Sequence, residues 1–483
     1  MKYRFIDLFA GCGGLTLGLK AAGFMHAFGV EQSPMASETY FHNFIKPITS
    51  ESIWNKYSSL VTDYGDEGLI NQLEDGLVIG PVSNILKTKG SKVGKYIINN
   101  YDGIDILSGG PPCQGFSIAG RRILDDERNI LPKQFLQIVN MLNPKVVIME
   151  NVVGMRSKFV GMSSKIEAVF HQIAIELRKT GEQYIVQEME LNAAHYGVPQ
   201  NRNRVILVAL RKDIAKKNKV ASSEDLWMSS NYVNGIDKSI PDLCPIPLVD
   251  FGDNQSFICV KDAIGDLYAN KPTKNSEYLI SLNNINSGLS RSLKNKLSDY
   301  DNAPNFNKRT HSPDVQDRFR LYQLLHKHGI KNNIFNRAAN DEFNKDQKLE
   351  AELQPLFQKL SRYKSLRAND GIVVAHNKDE LLDKIKKYAT KKHSQYPLAE
   401  NKLARAVLTI PDDVVHPIEA RTMTVREQAR FQSFPDNFEF RSKETTGGHL
   451  RKFQVPQYSQ VGNAVPPLLA LAIGKKLKPL LRS

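Results

Sequence analysis

Cysteine is scarce in this sequence, with four in 483 residues. Cys12, Cys113, Cys244 and Cys259 show no CxxC or other metal-type spacing. That argues against a disulfide framework or a zinc site, so a reducing compartment is predicted and no metal is expected. Long apolar runs are missing as well. The opening stretch "MKYRFIDLFAGCGG" lacks the length of a signal peptide or membrane span, so a cytoplasmic protein with no membrane partner is expected. No internal repeat or low-complexity tract is present. Acid is also in short supply: 51 Asp and Glu face 65 Lys and Arg, for a net charge of +14. A surplus of that size fits an anionic partner, nucleic acid being the commonest, or a generally cationic surface.

What is present divides into three parts. In the first, short apolar runs at 3–9, 27–31, 103–109, 145–150, 184–191 and 204–210 read as buried strands, with helical patterns around 130–142 and 163–180 between them. That alternation predicts an α/β fold, a sheet covered by helices on both faces. From about 215 to 415 the text turns rich in Asn, Lys and Ser, and its periodicity weakens. Well-punctuated helix patterns return with "RTMTVREQARFQSFPDNF" (421–438) and "QYSQVGNAVPPLLALAIGKKL" (457–477). The expected organisation is one α/β domain built from residues 1–214 and 416–483, carrying a basic inserted domain at 215–415.

"DLFAGCGGLTLGL" (7–19) follows a strand and opens a helix. Gly11, Gly13 and Gly14 permit a sharp turn and close ligand approach, although an ordinary tight turn uses the same residues. Glu31 ends the next strand, twenty residues beyond Gly11, where a carboxylate can hold ribose hydroxyls. No Walker lysine and no GxGxxG spacing accompany these glycines. An adenosine-containing cofactor therefore fits better than a phosphate cradle.

"DILSGGPPCQGFSIAGRR" (105–122) carries the second signal. A lone cysteine is usually a small buried hydrophobe. Here Pro111 and Pro112 stiffen the chain immediately before Cys113, at the strand edge where open α/β sheets place ligands. Gly115 and Gly120 then flank a hinged loop that ends in Arg121 and Arg122, suited to closing over a polyanion. Glu150, in "VVIMENVVGM", ends another buried strand. It reads either as a capping acid or as a partly desolvated carboxyl whose raised pKa lets it donate a proton to a substrate ring nitrogen. Arg202 and Arg204 stand two apart at a strand start, so both are expected on one face, either as surface charge or as a positioned pair around an anion.

Together, "DLFAGCGG", "GGPPCQGFS", "MENV", "QNRNRV", "TVREQARFQSFPDNF" and "QVGNAVPP" resemble, in order, the signature blocks of the C5-cytosine-specific DNA methyltransferases of prokaryotic restriction-modification type. The resemblance covers both ends of the chain, and 215–415 falls where that family keeps its target-recognition domain. It implies a Rossmann-like S-adenosylmethionine-dependent methyltransferase fold with a mostly parallel sheet. It further implies transfer of methyl from S-adenosyl-L-methionine to C5 of a cytosine flipped out of double-stranded DNA. Cys113 then attacks C6, Glu150 binds N3 and the exocyclic amine, Arg204 meets O2, and Arg202 shapes the surroundings. Cofactor contacts carried over are Phe9, Ala10, Gly11, Gly13, Gly14, Leu15, Glu31, Pro112, Leu131, Asn463 and Val465. Gln114, Ser117, Arg121 and Arg122 form the DNA-closing loop. A monomer of bacterial, nucleoid-associated activity, paired functionally with a restriction endonuclease, is expected.

The family's usual Gly-Asp-hydrophobic block is matched locally only by "GPVSNI" (80–85), with Pro81 in the acidic place. Three other readings compete. A tRNA methyltransferase of the same chemistry lacks so large an insert. A non-catalytic DNA-binding regulator predicts loss of Cys113, Glu150 or the arginines, and all are present. An amino-methyltransferase needs an Asp/Asn/Ser-Pro-Pro-aromatic block, which the sequence does not contain.

Overall fold

Val146–Val152 opens with the unbroken apolar run Val146–Met149, and six of its seven positions are buried. Such a strand needs cover on both faces, and it lies in the interior of an eight-stranded sheet. The computed structural model describes residues 2–86, 91–112, 130–156, 169–179, 183–221, 225–248, 257–269, 276–294, 303–331, 333–338, 347–389 and 395–482. In chain order the strands are β1 (Arg4–Leu8), β2 (Met25–Glu31), β3 (Leu77–Ile79), β4 (Ile106–Gly109), β5 (Val146–Val152), β6 (Tyr184–Asn192), the short β7 (Gln200–Asn201), β8 (Asn203–Arg211) and β9 (Trp227–Met228). The sheet runs β3-β2-β1-β4-β5-β8-β6-β9. Its pairs are parallel except where β8 runs antiparallel between β5 and β6. The mostly parallel α/β sheet expected from the sequence is therefore present.

Successive residues of β8 alternate between two cores, Val205, Leu207 and Ala209 on one face and Ile206, Val208 and Leu210 on the other. The first face is covered by helices that include Ile130–Leu142, which sets Phe135, Ile138, Val139 and Leu142 along one helical stripe. The second face is covered by the first helix, Gly14–Ala21, and by the carboxyl-terminal helix, Pro467–Leu477. These two helices approach very closely. A Cβ on Gly18 would meet Ala470 Cβ and Pro467 O, both at 2.4 Å, and one on Gly474 would meet Ala22 Cβ at 2.7 Å. The end of the chain thus packs directly beside its beginning.

The middle of the chain is not packed uniformly. Trp227, Leu243 and Cys244 join the core on the second sheet face. Val260, Tyr278, Leu282 and Leu293 share a core with Leu17, Tyr40 and Phe434. Residues between Phe319 and Tyr388 gather round a core of their own, to which Val415 is attached. The chain then returns through two short parallel pairs, Tyr396–Pro397 with Val414–Val415 and Ala404–Arg405 with β7. Among the described residues no helix is long and apolar enough to cross a membrane.

Candidate active site at the carboxyl edge of the sheet

The glycine turn after β1 is closed by Glu31 at the end of β2. Gly11 N donates to Glu31 Oε2 at 2.8 Å, and Ser33 N donates to Oε1 at 2.7 Å. Burial pushes the Glu31 carboxyl up, while the N–H groups of Ser33, Gly11 and Gln32 pull it back. Gly11 has φ +56° and nothing within 4 Å of where its Cβ would lie, so the turn opens onto free space there. Phe9 also adopts a positive φ, and Ala10 N is tied to Val30 O at 3.0 Å. The other two glycines serve packing: a Cβ on Gly13 would strike the Phe44 ring, and one on Gly14 would lie 2.2 Å from Val465 O. Leu15 is buried on the second sheet face.

Glu150, at the same edge on β5, is 9% exposed. Arg204 Nε meets its Oε1 at 2.9 Å. Burial raises the Glu150 carboxyl above its usual range, opposed by the charges of Arg204 and Arg202. The chain leading to Cys113 passes close over this acid, since a Cβ on Gly110 would lie 3.0 Å from Glu150 Oε2. Asn151 Nδ2 donates to Pro111 O at 2.9 Å and so fixes the proline turn on β5. Pro112 is exposed. The expected nucleophile Cys113, together with Gln114, Ser117, Arg121 and Arg122, lies outside the described residues.

Arg202 and Arg204 do different jobs. β8 begins only at Asn203, so the two-residue period that predicts a shared face does not reach Arg202. Its buried guanidinium donates to Val407 O (3.2 Å), Gly462 O (2.7 Å) and Ala464 O (3.3 Å). It still feels the charges of Arg204 and Glu150. Gln200 and Gln432 complete this hub. Gln200 Oε1 accepts from Val407 N at 2.9 Å and its Nε2 donates to Phe431 O at 2.7 Å. Gln432 Nε2 donates to Val461 O at 2.7 Å. Gly462 is pressed on Leu408, whose carbonyl would lie 2.7 Å from an added Cβ. Asn463 is exposed beyond this contact, Val465 carries the carbonyl set against Gly14, and Leu131 is half-buried in the first turn of its helix.

Sequence reasoning passed over several buried polar groups. Asp7 accepts from Thr16 Oγ1 at 2.6 Å and Ser108 Oγ at 2.9 Å. Thr16 Oγ1 lies 3.0 Å from the Tyr40 hydroxyl, which lies 2.6 Å from His26 Nε2. A polar residue inside the apolar "FIDLF" run was the available signal for Asp7. Arg426 donates to three carbonyls, those of Pro304, Pro435 and Phe438, and Arg430 is held by Asp436 and Asp266. Both arginines are fully buried, so much of "TVREQARFQSFPDNF" is a structural knot.

Two predictions follow from this geometry. Arg202→Ala strands three carbonyls away from water and is expected to lower stability by about 3 kcal/mol or more. Arg204→Ala leaves the buried Glu150 carboxyl without its ion-pair partner, but that acid can take up a proton, so a smaller loss of stability is expected. Urea or thermal melts of both variants check this, and equal destabilisation by the two contradicts it. Burial lifts Asp7 from its ordinary 3.8 to about 6. An acid that ionises less readily when folded favours the folded state most where it is protonated. Its contribution is complete below about pH 4 and is lost as pH rises through about 6. Relative to Asp7→Asn, the native chain is therefore expected to lose about 3 kcal/mol of unfolding free energy across that window, read from urea melts at stepped pH. Parallel pH profiles contradict it.

Comparison with known proteins gives the family. The family model described as C-5 cytosine-specific DNA methylase matches residues 3–70 and 82–479. The chain is 27% identical over 474 residues to the type II methyltransferase M.DdeI of Desulfomicrobium norvegicum, covering 98% of this chain and 88% of that protein. It is 29% identical over 479 residues to the type II methyltransferase M.XorII of Xanthomonas oryzae pv. oryzae, covering 99% and 85%. In structure it is similar, with a TM-score of 0.58 and 22% identity over 100% of both chains, to an E. coli protein described as a prophage-encoded DNA modification methyltransferase, a likeness of fold. With a sheet edge that brings Glu31, Glu150 and Arg204 to one side and a family match over nearly its whole length, the chain belongs to the C-5 cytosine-specific DNA methylase family and is a DNA cytosine-5 methyltransferase.

Proposed function

We propose that the protein methylates C5 of a cytosine flipped out of duplex DNA at a specific sequence, with S-adenosyl-L-methionine as donor, protecting that DNA from a paired restriction endonuclease. The observation that carries the reading is the Glu150–Arg204 ion pair beneath the Gly110–Pro112 turn. A carboxyl raised by burial and fixed by one guanidinium can face the N3 and exocyclic amine of a cytosine ring. Arg204, beside it, is suited to the ring's O2. The relatives' description as type II methyltransferases supports the restriction-modification setting, in the cytoplasm of a bacterial cell.

In this mechanism the Cys113 thiolate adds to C6, and its bond electrons make C5 nucleophilic. Glu150 holds a proton at N3 as charge builds on the ring, and Arg204 stabilises O2. The cofactor supplies an electrophilic methyl group for C5. Loss of the C5 proton and departure of the Cys113 sulfur restore the ring. A stacked base cannot be approached in this way, so the cytosine leaves the duplex, and the loop bearing Gln114, Ser117, Arg121 and Arg122 closes behind it.

The residues of the glycine turn fit the adenosine part of the cofactor. Gly11 faces open space, and Glu31 is anchored with lone pairs to spare for ribose hydroxyls. Phe9, Ala10, Leu15, Pro112, Leu131, Asn463 and Val465 complete the proposed site, with Gly13 and Gly14 holding the turn in shape. Within the recognition region proposed for 215–415, the unit with its own core between Phe319 and Tyr388 is the part best separated from the sheet. The protein is proposed to act as a monomer.

Bisulfite conversion of DNA from cells expressing the protein is expected to show protected cytosines at one repeated sequence. Cys113→Ala is expected to erase that protection while retaining DNA binding, and Glu150→Gln to slow transfer by about a hundredfold or more. Random or absent protection, or full turnover by Cys113→Ala, overturns the reading.

A further inference from the structure

Arg405 lies outside every role assigned so far. It sits on the short strand that pairs with β7, opposite Asn201, three residues before Arg204. The strand pairing therefore places it on the flank of the proposed cytosine site, where the chain re-enters the sheet unit. The side chain is exposed, yet its guanidinium carbon lies 3.9 Å from the centre of the Tyr396 ring. Stacking on an aromatic face restrains a long side chain and leaves its in-plane N–H donors free to point outward.

A second cationic group and a neutral imidazole gather there. Lys402 is exposed three residues upstream, and His326 faces the pair from the end of the helix Pro313–Lys327. Burial first, and then the charges of Lys402 and Arg405, hold the His326 imidazole below its usual range. Among the described residues, neither Arg405 nor Lys402 forms an ion pair with a carboxylate. Arg318 and Arg362 likewise lie over aromatic rings, and Arg367 donates to the Gly371 carbonyl, whereas other cations of the region have acids beside them. Arg309, Arg320, Arg337, Lys378 and Lys384 are each matched to an acid. Like charges crowded together without a counter-ion are unfavourable unless an anion comes between them.

We propose that Arg405, Lys402 and His326, with Tyr396 as the stacking platform, form a phosphodiester-binding ledge that holds the DNA backbone beside the flipped cytosine. The ledge rests on the DNA reading given above and adds a positioning element to it. Its contacts go to phosphate and carry no sequence information, so they set the register of the duplex against the Glu150 site. The stacked guanidinium offers parallel donors that match two phosphate oxygens, a match that a lysine cannot reproduce.

The experiment measures binding of a mixed-sequence 30-base-pair duplex by fluorescence anisotropy from about 50 to 200 mM salt. Each neutralised phosphate contributes about −0.9 to the slope of log affinity against log salt. Arg405→Gln is expected to make the slope shallower by about one such increment, and Arg405→Gln with Lys402→Gln by about two. Tyr396→Leu keeps the charge but frees the guanidinium, so affinity is expected to fall severalfold with the slope unchanged. Binding of S-adenosylhomocysteine by calorimetry is expected to stay at the native value throughout. Should Arg405→Gln fail to fold, Lys402→Gln alone, at an exposed side chain, gives the single-contact result. Native slopes in these variants, while the native protein methylates duplex DNA, overturn the ledge and leave the function standing. A native protein that binds DNA with the expected slopes but transfers no methyl to it overturns the function and leaves the ledge.

Discussion

The Arg202 guanidinium, closed over the carbonyls of Val407, Gly462 and Ala464, is the interaction on which the rest of the structure depends. It joins its own strand end to two stretches that lie more than 200 residues further along the chain, and Gln200 and Gln432 tie these together with Phe431. By fixing residues 461–465 it also sets the Val465 carbonyl against Gly14, and with it the floor of the glycine turn. One buried polar hub therefore positions both the cofactor side and the cytosine side of the edge. Such a network is favourable only when nearly complete, because each unpaired buried group costs about 1–3 kcal/mol. The invariant geometry demanded here explains why glycine stands at 462, where any side chain would enter Leu408.

Two buried acids, Asp7 and Glu150, and the partly buried Glu31 sit near the ends of strands along that edge, and each is held by a different kind of donor. Asp7 is met by hydroxyls, Glu31 by backbone N–H groups and Glu150 by a guanidinium. Burial raises all three. Their surroundings separate their uses. Asp7 is sealed and links β1 to the first helix and β4, whereas Glu31 closes a turn beside open space. Glu150 keeps Oε2 under the chain that leads to Cys113. A carboxyl whose ionised form is made costly, yet not forbidden, is suited to sharing a proton with a ring nitrogen.

Much of this was legible in the sequence because local pattern and tertiary role coincide there. The run 145–150 reads as a buried strand, and Val146–Val152 is one, inside the sheet. Glu31 does end β2 as the pattern predicts, and the structure adds that its carboxylate accepts from Gly11 N. What could not be read depends on distant partners. The period-two rule placed Arg202 with Arg204, but the strand starts one residue too late, and the carbonyls that capture Arg202 lie far along the chain. β3 is only three residues long, too short for any periodicity to announce it. Val260 to Leu293 lack a clear repeat and are nevertheless packed against Leu17 and Tyr40. The like-charge ledge at Arg405 is likewise invisible until Tyr396 and His326 are folded beside it.

The account turns on the Glu150–Arg204 pair being the place where cytosine is held. The most direct measurement is a crystal structure of the protein trapped on duplex DNA carrying 5-fluorocytosine, whose fluorine cannot depart as a cation. The predicted result is an extrahelical ring bonded at C6 to the Cys113 sulfur, with the Glu150 carboxyl at N3 and the exocyclic amine and Arg204 at O2. A ring captured away from Glu150, or a duplex with every cytosine still stacked and no covalent bond, contradicts it.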